Sequence, residues 1–162
     1  MLVLGIDPGT AITGYGLVES CDGEMRLLTC GVITTPAGMD LPSRLQAIYR
    51  GLAEVIAQYR PTEAAVEELF FARNARTALA VGHARGVALL ALADAGLAIA
   101  EYTPLQVKQA VTGYGQAEKD QVQQMVRLLL NLDAIPRPDD AADAVAVAIC
   151  HISFSRLRWR GS

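Results

Sequence analysis

Lysine is almost missing from this chain: of 162 residues only Lys108 and Lys119 carry an amine side chain, against twelve arginines. Cysteine is scarce too. Cys21, Cys30 and Cys150 are odd in number and lack CxxC spacing, which argues against a disulfide framework or a zinc site. They are expected to be core thiols in a reducing cytoplasm. No basic leader precedes the first apolar run, so no signal peptide is expected. No long hydrophobic run is free of charge. The most apolar stretch, Ala78 to Ala100, holds His83, Arg85, Asp94 and three glycines, which argues against a membrane span. It reads as a buried or subunit-facing helix, a turn near Gly96 and a strand. An excess of positive charge is absent as well: net charge is −3 and pI about 5.3, so composition does not announce a nucleic-acid partner. Locally the balance reverses. Between Arg73 and Arg127 stand six bases (Arg73, Arg76, Arg85, Lys108, Lys119, Arg127) against four acids (Asp94, Glu101, Glu118, Asp120).

What is present is a core. Hydrophobic residues make up 52% of the chain, which excludes disorder and supports one domain, placed over 1–154 with a short basic tail over 155–162. Strands are expected over about 2–7, 13–20 and 25–34. Leu41, Leu45, Ile48, Tyr49, Leu52, Val55, Ile56 and Tyr59 then keep helical spacing, started by Asp40 and Pro42 and stopped by Arg60-Pro61. Next come a strand near 63–68, a helix over 75–95, a strand near 98–102 and helices over 104–112 and 118–131. Pro136 and Pro138 precede a last helix running to about 152. Hairpin strands first, then strand–helix alternation, make an α/β protein: a mixed sheet flanked by helices.

Acids stand where apolar strands end. Asp7 closes Leu2-Val3-Leu4-Gly5-Ile6, and Glu67, with Glu68 after it, closes Ala64-Ala65-Val66. If the two strands lie parallel, both carboxylates leave the sheet at the edge where open α/β sheets bind ligands. A third station is Asp139-Asp140-Ala141-Ala142-Asp143. Here Asp140/Asp143 and Asp139/Asp143 both satisfy helical face-sharing, and spacing does not choose between them. Carboxylates gathered in one space repel one another unless cations intervene, and all-oxygen ligands favour Mg²⁺ or Mn²⁺. Two such ions roughly 3.5–4 Å apart suit phosphodiester hydrolysis.

The motifs Gly5-Ile6-Asp7-Pro8-Gly9-Thr10, Thr13-Gly14-Tyr15-Gly16, Val66-Glu67-Glu68-Leu69-Phe70 and Ala72-Arg73-Asn74 resemble the RuvC family of Holliday junction resolvases. So do Gly82-His83-Ala84-Arg85-Gly86-Val87, Gln106-Val107-Lys108-Gln109, Ala117-Glu118-Lys119 and Asp140-Ala141-Ala142-Asp143-Ala144. They stand in family order over nearly the whole chain. The resemblance implies an RNase H-like five-stranded sheet, a homodimer, and Mg²⁺-dependent paired nicking of a four-way DNA junction, with RuvA and RuvB as partners. It places the metal-binding catalytic acids on Asp7, Glu67, Asp140 and Asp143, leaving Asp139 as a helix-start acid. It places functional lysines on Lys108 and Lys119, the latter also serving the reaction, and a base-contacting aromatic on Phe70.

Other residues are weighed on chemistry. A lysine is a compact charge suited to a phosphate or a leaving oxygen. Arg73 and Arg76, with Asn74 between them, open a helix whose dipole their charge opposes, so phosphate contact explains them better than helix stabilisation. Gly113-Tyr114-Gly115 reads as a loop able to approach DNA. His151, eight residues from Asp143, lies too far along a helix to share its ligand shell. His83 reads as a packing residue at a groove or subunit seam. Three rival functions are considered. A hexokinase/actin-like phosphotransferase needs a second domain that 162 residues do not supply. A YqgF-like nuclease acting on RNA shares the start but fits poorly at Phe70–Asn74 and the lysines. A silent junction-binding protein would retain a buried acid cluster at a cost in stability.

Overall fold

A computed structural model describes residues 1–68 and 75–160, with side chains to 158. Five strands, β1 (Leu2–Asp7), β2 (Ile12–Cys21), β3 (Glu24–Thr34), β4 (Glu63–Glu67) and β5 (Ala98–Tyr102), form one sheet in the order β3-β2-β1-β4-β5. The β1–β2–β3 meander is antiparallel, whereas β1–β4 and β4–β5 are parallel. Helices α1 (Leu41–Tyr59), α2 (Ala75–Asp94), α3 (Pro104–Thr112), α4 (Lys119–Leu129) and α5 (Asp139–Arg160) complete the chain. This is the mixed, helix-flanked α/β sheet expected from the pattern.

Strand parity divides the core. Leu4, Ile6, Leu17, Ala64 and Val66 face α1 and α2, meeting Ile48, Leu52, Ala84, Ala88 and Leu92. Val3, Val18 and Ala65 face the other way, against Val145, Ile149 and Ile152 of α5 and the α3–α4 pair. Successive strand residues point to opposite faces, so Asp7 joins Val3 and Gly5, and Glu67 joins Ala65, on the α5 side. The parallel pairing of β1 and β4 brings both to one edge.

α5 lies unusually close to that face because β1 and β2 present glycine to it. Gly5 and Gly16 are cross-strand partners, and Gly14 is paired with Asp7. A Cβ on Gly5 would stand 2.1 Å from the Ala144 carbonyl oxygen, and one on Gly14 would stand 1.9 Å from that of Asp140. The helix answers with Ala141, Ala142, Ala144, Ala146 and Ala148, all buried.

Helix ends obey their local chemistry. Asp40 accepts from the Ser43 amide to start α1, and Arg60 ends it in the left-handed region at φ 50°. Thr103 and Gln106 cap the start of α3 reciprocally, at 3.2 and 2.9 Å. The Gln121 side chain accepts from the Glu118 amide at 2.8 Å, starting α4.

Three expectations change. The last helix, expected to stop near 152, continues to Arg160, because Phe154 stacks on Tyr102 and Arg156 donates to Ser20 Oγ at 3.0 Å. Of the three thiols only Cys150 is core; Cys21 is exposed at the β2 end and Cys30 half-buried. Its apolar surroundings push the Cys150 thiol up to about 12, so it is an inert packing group. Of the two readings of α2, buried or subunit-facing, the first gives way: Ala84, Ala88, Ala91 and Leu92 are buried, while Leu79, His83 and Leu90 are exposed. Among the described residues it is the one helix long and apolar enough to cross a membrane, and it docks on the core through its alanine face while Arg85 pairs with Glu101.

Candidate nuclease site

Three chain segments bring acids to the β1/β4 edge. Asp7 and Glu67 share a hydrogen bond, and Asp143 and Asp140 act on Asp7 through their charge. Burial first, and repulsion from Glu67 and Asp143 second, raise the Asp7 pKa from 3.8 to about 9. Glu67 is raised by burial, partly offset by the hydrogen bond from Asp7. Asp143 is raised by burial, against the pull of Lys119. At neutral pH the Asp7–Glu67 pair therefore holds a shared proton, and its titration belongs to the pair.

This donor set fits a hard divalent cation. It is all oxygen, largely dehydrated, and over-supplied with like charge that a cation would relieve by displacing the shared proton. Among the described residues no three histidine, cysteine or acidic side chains close on a common point.

The raised acids give stability a definite pH dependence. Acids whose pKa is raised by folding contribute stability below their unfolded values and lose it as pH climbs through the folded ones. Asp7 spans 3.8 to about 9. In chelator, the protein is therefore expected to lose up to about 5 kcal/mol between about pH 5 and 9, and Asp7→Asn to flatten that slope. Thermal unfolding across this range measures it; a metal-free protein equally stable at both ends would remove the buried-acid account.

Lysines line the other side. A cleft of about 230 Å³ is bounded by Glu67, Asp143, Lys108 and Lys119, with Val107, Val122 and Ala146 at its base. Lys119 Nζ stands 3.4 Å from Asp139 Oδ2 and 3.5 Å from Asp143 Oδ2. Burial lowers the Lys119 pKa, but Asp143 and Asp139 more than compensate, leaving it raised.

Asp139 is placed beside the cleft. Its Oδ1 accepts from Gln123 Nε2 at 3.1 Å and from Arg137 at 3.2 Å, and these bonds, Gln123 first, lower its pKa. Gln123 is a residue that reading the sequence missed. Its signal is a polar side chain in the buried stripe of α4, between Val122 and Val126.

His151 does not join the acids. It is buried on α5, Nε2 lying 2.5 Å from Glu63 Oε2 and Nδ1 2.9 Å from the Tyr102 hydroxyl. A carboxylate on one nitrogen fixes the tautomer: Nε2–H donates to Glu63, and Nδ1 accepts from Tyr102. The triad ties α5 to β4 and β5. His83 and Arg76 are exposed on α2, and Tyr114 is exposed between α3 and α4. Phe70, Arg73 and Asn74 lie outside the described residues.

A sheet of this order, with acids at the ends of β1 and β4 and at the start of the last helix, beside two lysines, defines a class: the RNase H-like nucleases. The family model for crossover junction endodeoxyribonuclease RuvC matches residues 3–151, and the chain belongs to that family. Crossover junction endodeoxyribonuclease RuvC of Moorella thermoacetica is 61% identical over 160 residues, covering 99% of this chain and 96% of the relative. The Chloroflexus aurantiacus RuvC is 63% identical over 151 residues, 93% of this chain and 92% of its own. Among solved structures, Thermus thermophilus RuvC in complex with Holliday junction substrate superposes with a TM-score of 0.92 at 40% identity, covering 98% of this chain and 96% of the other. Membership decides for the resolvase resemblance over the phosphotransferase and RNA-processing rivals.

Proposed function

We propose that this protein resolves four-way DNA junctions by symmetric paired nicks, with Asp7, Glu67, Asp140 and Asp143 holding Mg²⁺, or Mn²⁺ in its place, as two ions per site. The observation that carries the reading is the gathering of Asp7, Glu67 and Asp143 at one sheet edge, where Glu67 and Asp143 line a cleft together with Lys108 and Lys119. When bound, the metal supplies Lewis-acid activation of water and charge stabilisation at the leaving oxygen. The chain's own groups do the rest. Asp7, Glu67, Asp140 and Asp143 would hold the ion through their carboxylate oxygens, and Val107, Val122 and Ala146 in the cleft lining limit water. Lys108 and Lys119 hold the scissile phosphate, with Lys119 near enough to the acids to meet charge developing on an oxygen.

Two opposed strands need two sites. The exposed face of α2 supports a homodimer: Leu79 and Leu90 are 66% and 54% exposed, and among the described residues a Cβ on Gly82 or Gly86 would meet nothing within 4 Å beyond its own helix. Such a face allows helices of two copies to approach closely. Phe70, Arg73, Asn74 and Arg76 are proposed to contact DNA around the crossover, and RuvA and RuvB to act with the protein in the cytoplasm.

The test is cleavage of an end-labelled immobile four-way junction with Mg²⁺, beside a linear duplex of matched sequence. Paired nicks in the junction alone are expected; equal cutting of both, or binding without cutting, would overturn the proposal. Lys119→Ala is expected to slow cutting about 10–100-fold and to lower the slope of log affinity against log salt by about one. Quantitative gel shifts at several salt concentrations measure the slope, and an unchanged slope and rate would leave Lys119 a solvated surface amine.

A further inference from the structure

We infer that Asp139 is a positioning residue for the reaction, the standing anchor that keeps the Lys119 amine at the cleft when Asp143 turns to its cation. The role deepens the proposed function and rests on it for the identity of the reaction, whereas the anchoring of the amine can be read independently of any substrate.

Two pairs with i, i+4 spacing face each other. Lys119 and Gln123 are neighbours on one side of α4, and Asp139 and Asp143 on one side of α5. The bonds between them are asymmetric. Asp143 receives Lys119 alone from α4, at 3.5 Å. Asp139 receives Lys119 at 3.4 Å on Oδ2, while its Oδ1 is already taken by Gln123 and Arg137. Gln123 is only 6% exposed, so the group that aims Asp139 is itself fixed by packing. Oδ2 is thereby left pointing to the amine.

Metal and lysine compete for Asp143. A carboxylate serving a cation has less negative charge to offer an ammonium group, and Lys119 is a long side chain 55% exposed to water. Without a second partner its amine would be released into solvent as the site became loaded. Asp139 removes that conflict. Its charge lies beside the acid cluster, and Gln123 and Arg137 keep its carboxylate turned to the lysine. In this role it acts through Lys119, the cation its Oδ2 meets at 3.4 Å.

The scarcity of lysine simplifies the test. Lys108 and Lys119 are the two lysines of the chain, so amine acetylation read by mass spectrometry reports one against the other. Asp139→Ala is expected to raise labelling of Lys119 about threefold or more relative to Lys108 in the presence of Mg²⁺. Single-turnover junction cleavage is expected to fall about tenfold, with junction affinity unchanged or slightly tighter. In a Lys119→Ala background the same substitution should change the rate less than about twofold. Asp139→Asn, which keeps the acceptor for Gln123 and removes the charge, should fall between, and serves if the alanine variant folds poorly. A Lys119 labelling ratio untouched by both variants, or equal losses with and without Lys119, would overturn the inference. Failure of wild type to cut junctions, with the labelling shift present, would instead count against the proposed substrate.

Discussion

Asp7→Asn is expected to bind a four-way junction at least as tightly as the parent and to cut it about a thousandfold more slowly or worse. The carboxylate has Glu67, Asp143 and Asp140 for neighbours, and burial first, then their repulsion, raises its pKa to about 9. Asparagine keeps the shape and one acceptor oxygen. It removes the charge that has to meet the cation and the proton shared with Glu67. Lys108 and Lys119, which are proposed to hold the phosphate, are untouched by the change, so binding is expected to survive where cleavage does not. Single-turnover rates and gel shifts on the same preparations separate the two effects. Cutting within about tenfold of the parent would disqualify Asp7 as a ligand.

Gly14→Ala is expected to be nearly as damaging, through geometry alone. The new Cβ would stand 1.9 Å from the carbonyl oxygen of Asp140 and 2.5 Å from its carbonyl carbon. Both are backbone atoms, so no rotamer change relieves the clash and the first turn of α5 has to lift. Overpacking of this kind costs about 1–3 kcal/mol. The lifted turn is the one carrying Asp140 and leading to Asp143. Cleavage is therefore expected to fall well below what the fraction folded allows, with a raised Mg²⁺ requirement. Gly38→Ala, where a Cβ meets nothing within 4 Å, is the control and should stay within about 0.5 kcal/mol of the parent. Thermal melts and a Mg²⁺ titration of rate decide it; a Gly14→Ala protein with parental metal dependence would show that α5 is not seated by these glycines.

Much of the fold and of the acid cluster is legible in the residues alone. α1 declares itself by period and by caps at both ends, and Asp7 and Glu67 each terminate an apolar strand. Period-two parity alone puts both on the face opposite Leu4, Ile6, Ala64 and Val66. What local patterns do not reveal depends on register between distant segments. Gly5 and Gly16 become one seat only once β1 and β2 are paired. Glu63 and His151 are 88 residues apart, and nothing near either announces the other. The length of α5 exceeds its sequence signal because its last turns are held by tertiary partners, Tyr102 and Ser20, with little periodicity of their own. Asp139 looks like an ordinary helix-start acid, since the residues that give it a second task, Lys119 and Gln123, lie on another helix.

The chain order of the acids has a consequence for synthesis. Two of the four reside before residue 68, and the other two arrive with α5, the last helix. At about 5–20 residues per second, some 4–15 s separate the emergence of Glu67 from that of Asp143. Throughout that interval the sheet lacks its α5 cover, so Val3, Val18 and Ala65 face solvent or a chaperone. If the four acids act together as proposed, docking of one helix both buries the open face and completes the acid cluster.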